Sequence, residues 1–184
     1  MNTPSLPKIA FLLVLATLFA VNKSHAQWSV GATYENKNEM PRSGFGLQIE
    51  RDLRLPLPML FIRTRAHYSY FNENNSVTLD GITLDRKVSS YDFGAGALAG
   101  LNIGLFSPYA GMGIGLENYS MTGEGNDDVI PTGNEVYYQA MLGLGLNALP
   151  LIKPFVELRY TGFSHTREIT DSEQRIVLGV ALRF

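Results

Sequence analysis

The sequence has 184 residues, no cysteine and a formal net charge of −2 at neutral pH. So small a charge, with no basic stripe, excludes a typical nucleic-acid-binding protein. The lack of cysteine excludes a disulfide-stabilised scaffold. A helical fold is excluded as well, because glycine, proline, threonine and tyrosine interrupt every candidate helix after the first 26 residues.

The N-terminus has the three parts of an export signal. Lys8 supplies positive charge, residues 9–21 are apolar, and Ser24-His25-Ala26 places small residues where a signal peptidase reads the chain. The apolar run is shorter than the roughly 20 residues of a spanning helix, and a retained anchor is the alternative. We predict a cleaved signal peptide over 1–26 and a single domain over 27–184, whose net charge is −4 once the two lysines of the signal are removed.

The remaining chain alternates apolar and polar residues in eight segments, which is the period of a β-strand. In the last segment, for example, Ile176, Leu178, Val180, Leu182 and Phe184 form one apolar face. Most segments have the about 9–11 residues that a tilted strand needs to cross a membrane. The predicted strands are 28–36, 43–52, 59–71, 89–102, 108–119, 135–147, 154–163 and 174–184.

The opposite face of these strands carries acidic and basic residues in balance. The charged positions are Glu35, Glu50, Asp92, Glu117, Glu157, Arg63, Arg65, Arg159, Arg175 and Arg183. Apart from Arg51, the apolar face carries no charge. Gly, Ser, Thr, Asn and Gln are expected to fill the rest of the charged face, because large residues would collide inside a narrow barrel.

Two closed barrels fit this pattern. A soluble barrel of the lipocalin kind would turn the apolar face inward, whereas a membrane barrel would turn it to lipid and pair the charges in its lumen. The lengths of the connections favour the membrane barrel, because short and long connections alternate as periplasmic turns and extracellular loops do. The short connections are 53–58, 103–107 and 148–153, and the long, polar ones are 72–88, 120–134 and 164–173. Aromatic residues near the strand ends agree with it, namely Tyr34, Tyr68, Tyr70, Tyr91, Phe93, Tyr138 and Tyr160, with Trp28 and Phe184 at the other rim.

Four features together give the chain a family resemblance. They are the export signal, the eight strands, the run Ser-Pro-Tyr-Ala-Gly-Met-Gly-Ile-Gly-Leu (107–116) and the ending Val-Ala-Leu-Arg-Phe (180–184). It resembles small eight-stranded outer-membrane barrels of the OmpA/OmpX type. The resemblance implies an all-β, antiparallel, up-and-down transmembrane β-barrel in the bacterial outer membrane, in contact with lipid and lipopolysaccharide. It also implies that Phe184 is the assembly signal read by the barrel-assembly machinery.

The charged face predicts a salt-bridged plug, since each buried charge would be costly without a partner. The residues expected to form this lumen charge network are Glu50, Arg63, Arg65, Asp92, Glu117, Glu157, Arg159, Arg175 and Arg183. A narrow passive channel is the alternative. Eight strands leave no aqueous channel of porin size, and we therefore expect negligible conductance.

Asp80-Gly81, between two alternating runs, predicts a tight hairpin turn, so the third and fourth strands are expected to continue as a ribbon above the membrane. The edges of such a ribbon can pair with a partner strand, and the resemblance to OmpX-type barrels implies adhesion or recognition of an extracellular protein. A solvated loop without a partner is the alternative. The acidic residues of 123–128 do not have the spacing of an EF-hand, and neither a metal ion nor another cofactor is predicted.

Enzymatic activity is the third alternative, because some eight-stranded barrels modify lipid A. His67 and Ser69 share a face, with Asp92 and Glu117 as acidic neighbours. No strained turn surrounds Ser69, and the nearby arginines suggest ion pairing instead. Ser164 and His165 are adjacent in sequence and would point to opposite faces of a strand. No catalytic residue is therefore predicted.

Overall fold

A computed structural model describes residues 28–53, 57, 59–79, 82–123, 133–149, 151–164 and 172–184, with the side chains of 75–79, 82–86 and 121–123 left aside. The signal-peptide prediction lies outside these residues. Within them no helix is long and apolar enough to cross a membrane. The elements are β1 (Trp28–Lys37), β2 (Ser43–Leu53), β3 (Leu60–Leu79), β4 (Ile82–Leu101), β5 (Phe106–Gly123), β6 (Gly133–Leu146), β7 (Ile152–Phe163) and β8 (Ser172–Arg183).

The eight strands form one closed antiparallel barrel in chain order. β1 pairs with β2 and also with β8, from Ser29 opposite Arg183 to Lys37 opposite Arg175, and this pairing closes the sheet. The prediction of an eight-stranded up-and-down barrel is confirmed. We call the end at which β2–β3, β4–β5 and β6–β7 are joined the short-turn end, and the opposite end the long-loop end.

The largest departures from the predicted boundaries are at the long-loop end. β3 and β4 remain paired as far as Leu79 and Ile82, so residues 72–88 continue the strands and form a ribbon. The turn residues Asp80 and Gly81 themselves lie outside the described residues. β5 follows β4 as far as Gly123 and makes the ribbon a three-stranded sheet.

At the short-turn end, β5 begins earlier than predicted. Ile103 and Phe106 exchange backbone hydrogen bonds of 2.8 and 3.0 Å, which leaves a two-residue turn between them. Gly104 occupies that turn with φ of 58°, a conformation in which a side chain would be strained. The short connection therefore tightens into a hairpin.

Burial alternates along every strand and decides which face is inside. The apolar face is on the outside, where Phe45 is 71% exposed and Met112 is 75% exposed, whereas the charged face is buried in the lumen. A water-soluble barrel would bury those large apolar side chains, so the lipocalin-like alternative is wrong. The outward apolar belt is the surface that a transmembrane barrel presents to lipid.

The interior also contains large rings, so the expectation that only small and amide residues accompany the charges is wrong. Five of these rings, those of Phe61, Phe71, Tyr109, Tyr137 and Phe155, lie over a glycine of a neighbouring strand. A Cβ added at Gly143 would be 2.2 Å from Cζ of Tyr109, and one added at Gly179 would be 2.1 Å from Cζ of Phe155. The glycines therefore provide room for aromatic residues across the sheet. The buried apolar residues include Phe61, Phe71, Leu98, Tyr109, Tyr137, Met141, Phe155 and Val177.

Candidate functional site

The middle of the lumen is organised around Glu157 on β7. Its carboxylate lies 2.6 Å from Nη1 of Arg65 and 2.6 Å from Nε of Arg159, and it accepts a 2.7 Å hydrogen bond from the hydroxyl of Tyr109. Arg65 also lies 2.7 Å from Glu50 through Nη2. Arg65, Arg159, Tyr109 and Glu50 are all buried. Their contacts join β2, β3, β5 and β7 across the interior.

Towards the long-loop end, Arg175 on β8 joins the opposite wall of the barrel. Its Nη1 lies 2.5 Å from Asp92 and 3.5 Å from Glu35, and its Nε pairs with Glu173. Glu35 in turn lies 3.4 Å from Nη1 of Arg159, so this cluster continues into the one around Glu157. The ion pairs therefore cross between strands that are not neighbours in the sheet.

The network extends from Lys37 at the long-loop end to Arg183 at the short-turn end. Lys37 Nζ lies 3.1 Å from Glu117 and 3.1 Å from Glu173. At the short-turn end, Arg183 lies 3.4 Å from Asp52, and Asp52 also pairs with Arg63. Arg63 lies 3.1 Å from Glu50, which connects this end to the middle of the lumen.

The structure brings the predicted lumen residues into one continuous series of ion pairs. The residues concerned are Glu50, Arg63, Arg65, Asp92, Glu117, Glu157, Arg159, Arg175 and Arg183. The series also needs Glu35, which the sequence placed on this face without assigning it to the network, and Lys37, Asp52 and Glu173, which were missed. Strand parity was the available signal, because each of these has the parity of an inward-facing neighbour on its strand.

The protruding sheet is the second candidate site. We define the extended sheet as residues 72–79 of β3, 82–89 of β4 and 120–123 of β5, which continue beyond the pairing of β2 with β3 at Gly44 and Phe71. From Phe71 to Leu79 it rises by about 26 Å at the usual spacing of strand residues. Among the described residues, no strand pairs with 72–79 on the side away from β4.

The hydrogen-bond pattern shows which residues face that free side. The N–H of Asn102 donates to the backbone oxygen of Met59 at 2.7 Å, so the backbone groups of odd-numbered β3 residues face β4. The backbone groups of even-numbered residues, including Asn72 and Asn74, therefore face away from β4. Near the base, the N–H of Arg42 donates to the side chain of Glu73 at 2.8 Å.

No protein-family model and no curated protein sequence matches the chain. Solved structures do match it. Neisserial surface protein A (NspA) is 17% identical, with 88% of this chain and 98% of that chain covered and a TM-score of 0.59. Ail, the attachment invasion locus protein of Yersinia pestis, solved with the heparin analogue sucrose octasulfate, is 16% identical, with coverages of 86% and 97% and a TM-score of 0.55. The outer membrane enzyme PagL is 14% identical, with coverages of 84% and 98% and a TM-score of 0.50.

This chain has the fold of the small eight-stranded outer-membrane barrels. At these identities the likeness extends to the fold alone. Because an enzyme and proteins described by surface or attachment roles share this barrel fold, activity must be argued from the side chains of the chain itself.

His67 and Ser69 are both buried in the lumen of the barrel. Nε2 of His67 is 3.0 Å from the hydroxyl of Tyr137 and 3.5 Å from Asp92, whereas the hydroxyl of Ser69 donates to Glu35 at 2.9 Å. Neither of these hydrogen bonds joins the two side chains as a nucleophile and its base. Of the adjacent pair Ser164 and His165, only Ser164 lies within the described residues. The described residues contain no cluster of His, Asp or Glu that fits a metal ion.

The end of the chain lies at the short-turn rim. The N–H of Phe184 donates to the backbone oxygen of Trp28 at 2.8 Å, and the Phe184 side chain is 65% exposed. The guanidinium carbon of Arg51 lies 5.5 Å from the centre of the Trp28 ring. At the other rim, the predicted belt of Tyr34, Tyr68, Tyr70, Tyr91, Phe93, Tyr138 and Tyr160 is exposed on the outside. The two aromatic rims therefore bound the apolar belt.

Proposed function

We propose that the chain is an integral barrel of the bacterial outer membrane that displays the extended sheet to an extracellular protein partner. The long-loop end then faces outward and the short-turn end faces the periplasm. The apolar exterior between two aromatic rims supports a membrane position. The sequence of residues 1–26, which resembles an export signal, supports delivery to that membrane.

The observation that carries the surface role is the free edge of β3. An extended segment of a partner can add to such an edge as a new strand, because its backbone N–H and C=O groups complete the hydrogen-bond ladder. Asn72 and Asn74 present their backbone groups to that side. The likeness of the fold to a surface protein and to an attachment protein supports the same role.

The lumen network supplies the structural part of this proposal. The buried ion pairs link strands across the barrel beneath the sheet, and the loss of one partner would leave an uncompensated buried charge. Lipopolysaccharide and lipid surround the belt, and Phe184 presents the terminal aromatic to the assembly machinery during insertion. The extended sheet is the part of the chain that contacts the protein partner outside the cell.

An edge-blocking substitution tests the surface role. Asn74→Pro removes one N–H from the free edge without removing a hydrogen bond between β3 and β4. Bacteria that display this variant should adhere to cultured epithelial monolayers several-fold less than bacteria that display the wild type. Asn74→Ala, which keeps the N–H, is the matched control and should adhere as the wild type does.

Equal amounts of folded protein in the outer membrane, measured by the intensity of the folded band of unboiled membrane fractions on gels, are required for this comparison. Equal adhesion of the proline variant and the wild type would contradict the edge-pairing proposal. Adhesion that is lost equally in both variants would assign the effect to the asparagine side chain and contradict it as well.

The two alternatives make different demands on the lumen. A passive channel requires stable ion currents from purified protein in planar bilayers, and we expect none because the ion pairs and the rings occupy the interior. A lipid A-modifying enzyme requires an altered acyl pattern in lipid A from cells that produce the chain. We expect an unchanged pattern, since His67 and Ser69 are buried away from the lipid-facing surface.

A further inference from the structure

The charges of the described lumen residues pair completely, with one exception. Each lumen carboxylate and each lumen arginine described above, together with Lys37, has a partner within 4 Å of opposite charge. Lys153 on β7 is the exception. Its Nζ has neither an ion pair nor a hydrogen-bond partner among the described residues, although the residue is only 7% exposed.

The side chain of Lys153 is held in place by apolar packing. A Cβ added at Gly145 would be 2.3 Å from its Cε, so the aliphatic part of the lysine occupies the room left by that glycine. The ammonium nitrogen lies 5.3 Å from the centre of the Phe61 ring. An ammonium group in such surroundings is costly unless a negative charge or hydrogen-bond acceptors satisfy it.

The neighbouring carboxylates at the short-turn end are already used by other cations. Asp52 pairs with both Arg63 and Arg183, and Glu50 pairs with both Arg63 and Arg65. The electrostatic neighbours of Lys153 are these same residues, Arg63, Arg183, Glu50 and Asp52. The side chains of this cluster therefore carry three positive charges, on Lys153, Arg63 and Arg183, against two negative ones.

This end of the lumen is partly exposed to water. The side chain of Arg183 is 31% exposed, in contrast to the fully enclosed arginines in the middle of the barrel. Arg183 is itself an electrostatic neighbour of Lys153, so the exposed rim and the buried ammonium group belong to one cluster of charges. The site thus combines an accessible rim with a buried, unpaired ammonium group.

We infer that Lys153 and the adjacent arginines bind a small inorganic anion of the halide class at the short-turn mouth of the lumen. The ammonium group of Lys153 donates hydrogen bonds to the anion, and Arg63 and Arg183 add positive potential. The bound anion supplies the missing counter-charge and stabilises the folded barrel, because a ligand of the folded state alone shifts the unfolding equilibrium.

Chloride is the probe for the test. Wild-type barrel in lipid vesicles is unfolded with urea in mixtures of sodium chloride and sodium gluconate at constant ionic strength, with gluconate, a large organic anion, as the replacement for chloride. The urea midpoint should rise with chloride. Above the dissociation constant, each tenfold rise in chloride corresponds to about 1.4 kcal/mol of stability.

Lys153→Met removes the ammonium group and keeps most of the chain length. In gluconate its midpoint should exceed that of the wild type, since an unpaired buried charge is gone, and chloride should close this gap by raising only the wild type. Lys87→Met, at an exposed lysine of the extended sheet, is the matched control and should respond to chloride as the wild type does. A wild-type midpoint that is independent of chloride would refute the site, as would equal chloride responses of wild type and Lys153→Met.

A measurement on the wild type decides the matter if the methionine variant fails to fold. Crystals soaked in sodium bromide should show an anomalous peak in contact with Nζ of Lys153. A bromide-soaked crystal without a peak there would overturn the inference, because a halide site accepts bromide as well as chloride.

Discussion

Glu157→Gln tests the energetic importance of the lumen network most sharply. The substitution keeps the size of the side chain and replaces a charged acceptor by a neutral amide. In the wild type, the two carboxylate oxygens of Glu157 accept hydrogen bonds from Arg65 Nη1 at 2.8 and 2.6 Å, from Arg159 Nε at 2.6 Å and from the Tyr109 hydroxyl at 2.7 Å. The amide nitrogen cannot accept a hydrogen bond, so one half of this arrangement is lost whichever way the amide is oriented.

The expected cost follows from those contacts. A hydrogen bond to a charged group contributes about 1.5–3 kcal/mol, and breaking a buried ion pair from one side costs about 3–5 kcal/mol. Arg65 keeps Glu50, and Arg159 keeps only the longer contact with Glu35 at 3.4 Å. We therefore expect Glu157→Gln to lower the free energy of unfolding by about 3–5 kcal/mol.

Urea unfolding in lipid vesicles measures this loss, with the fluorescence of the single tryptophan, Trp28, as the signal. Glu39→Gln, in the connection between β1 and β2 at the long-loop end, is the control and should change the stability by less than about 0.5 kcal/mol. A loss below about 1 kcal/mol for Glu157→Gln, the size expected of an exposed pair, would refute the claim that this network holds the barrel together.

Two further predictions concern packing and assembly. Gly143→Ala should destabilise the barrel by about 1–3 kcal/mol in the same assay, because the new Cβ would overlap the Tyr109 ring. Gly133→Ala should be neutral, because no atom of the described residues lies within 4 Å of its added Cβ. Equal costs of the two substitutions would contradict the ring-over-glycine packing. Deleting Phe184 should reduce the amount inserted into the outer membrane, measured by fractionation of cells; an unchanged amount would remove its role as the assembly signal and leave the fold untouched.

The strands were predictable because a period of two is a local property of the sequence. The ends of β3, β4 and β5 were less so, since residues 72–88 lie beyond the apolar belt, and strands there need no apolar face to remain paired. The Asp80-Gly81 turn signal still indicated a ribbon. The third strand of the extended sheet, residues 120–123, had no comparable turn signal.

Which charges face inward was also predictable, because parity along a strand fixes the face. Which charges pair was not. Arg65 meets Glu157 across the barrel, from β3 to β7, and Arg175 meets Asp92 from β8 to β4. Such pairs depend on how the closed sheet tilts its strands, which sequence spacing does not encode. For the same reason the fit of Tyr109 over Gly143 was not visible in the composition.

The central claim, that the apolar faces of a closed barrel point outward into lipid, is tested most directly by single-cysteine labelling along β8. The chain has no cysteine, so each introduced one is unique. Spin labels at residues 176–182 in lipid vesicles should show oxygen accessibility that alternates with a period of two, high at Leu178 and low at Val177, which is fully buried. Alternation with the opposite phase, or none at all, would contradict the barrel as described.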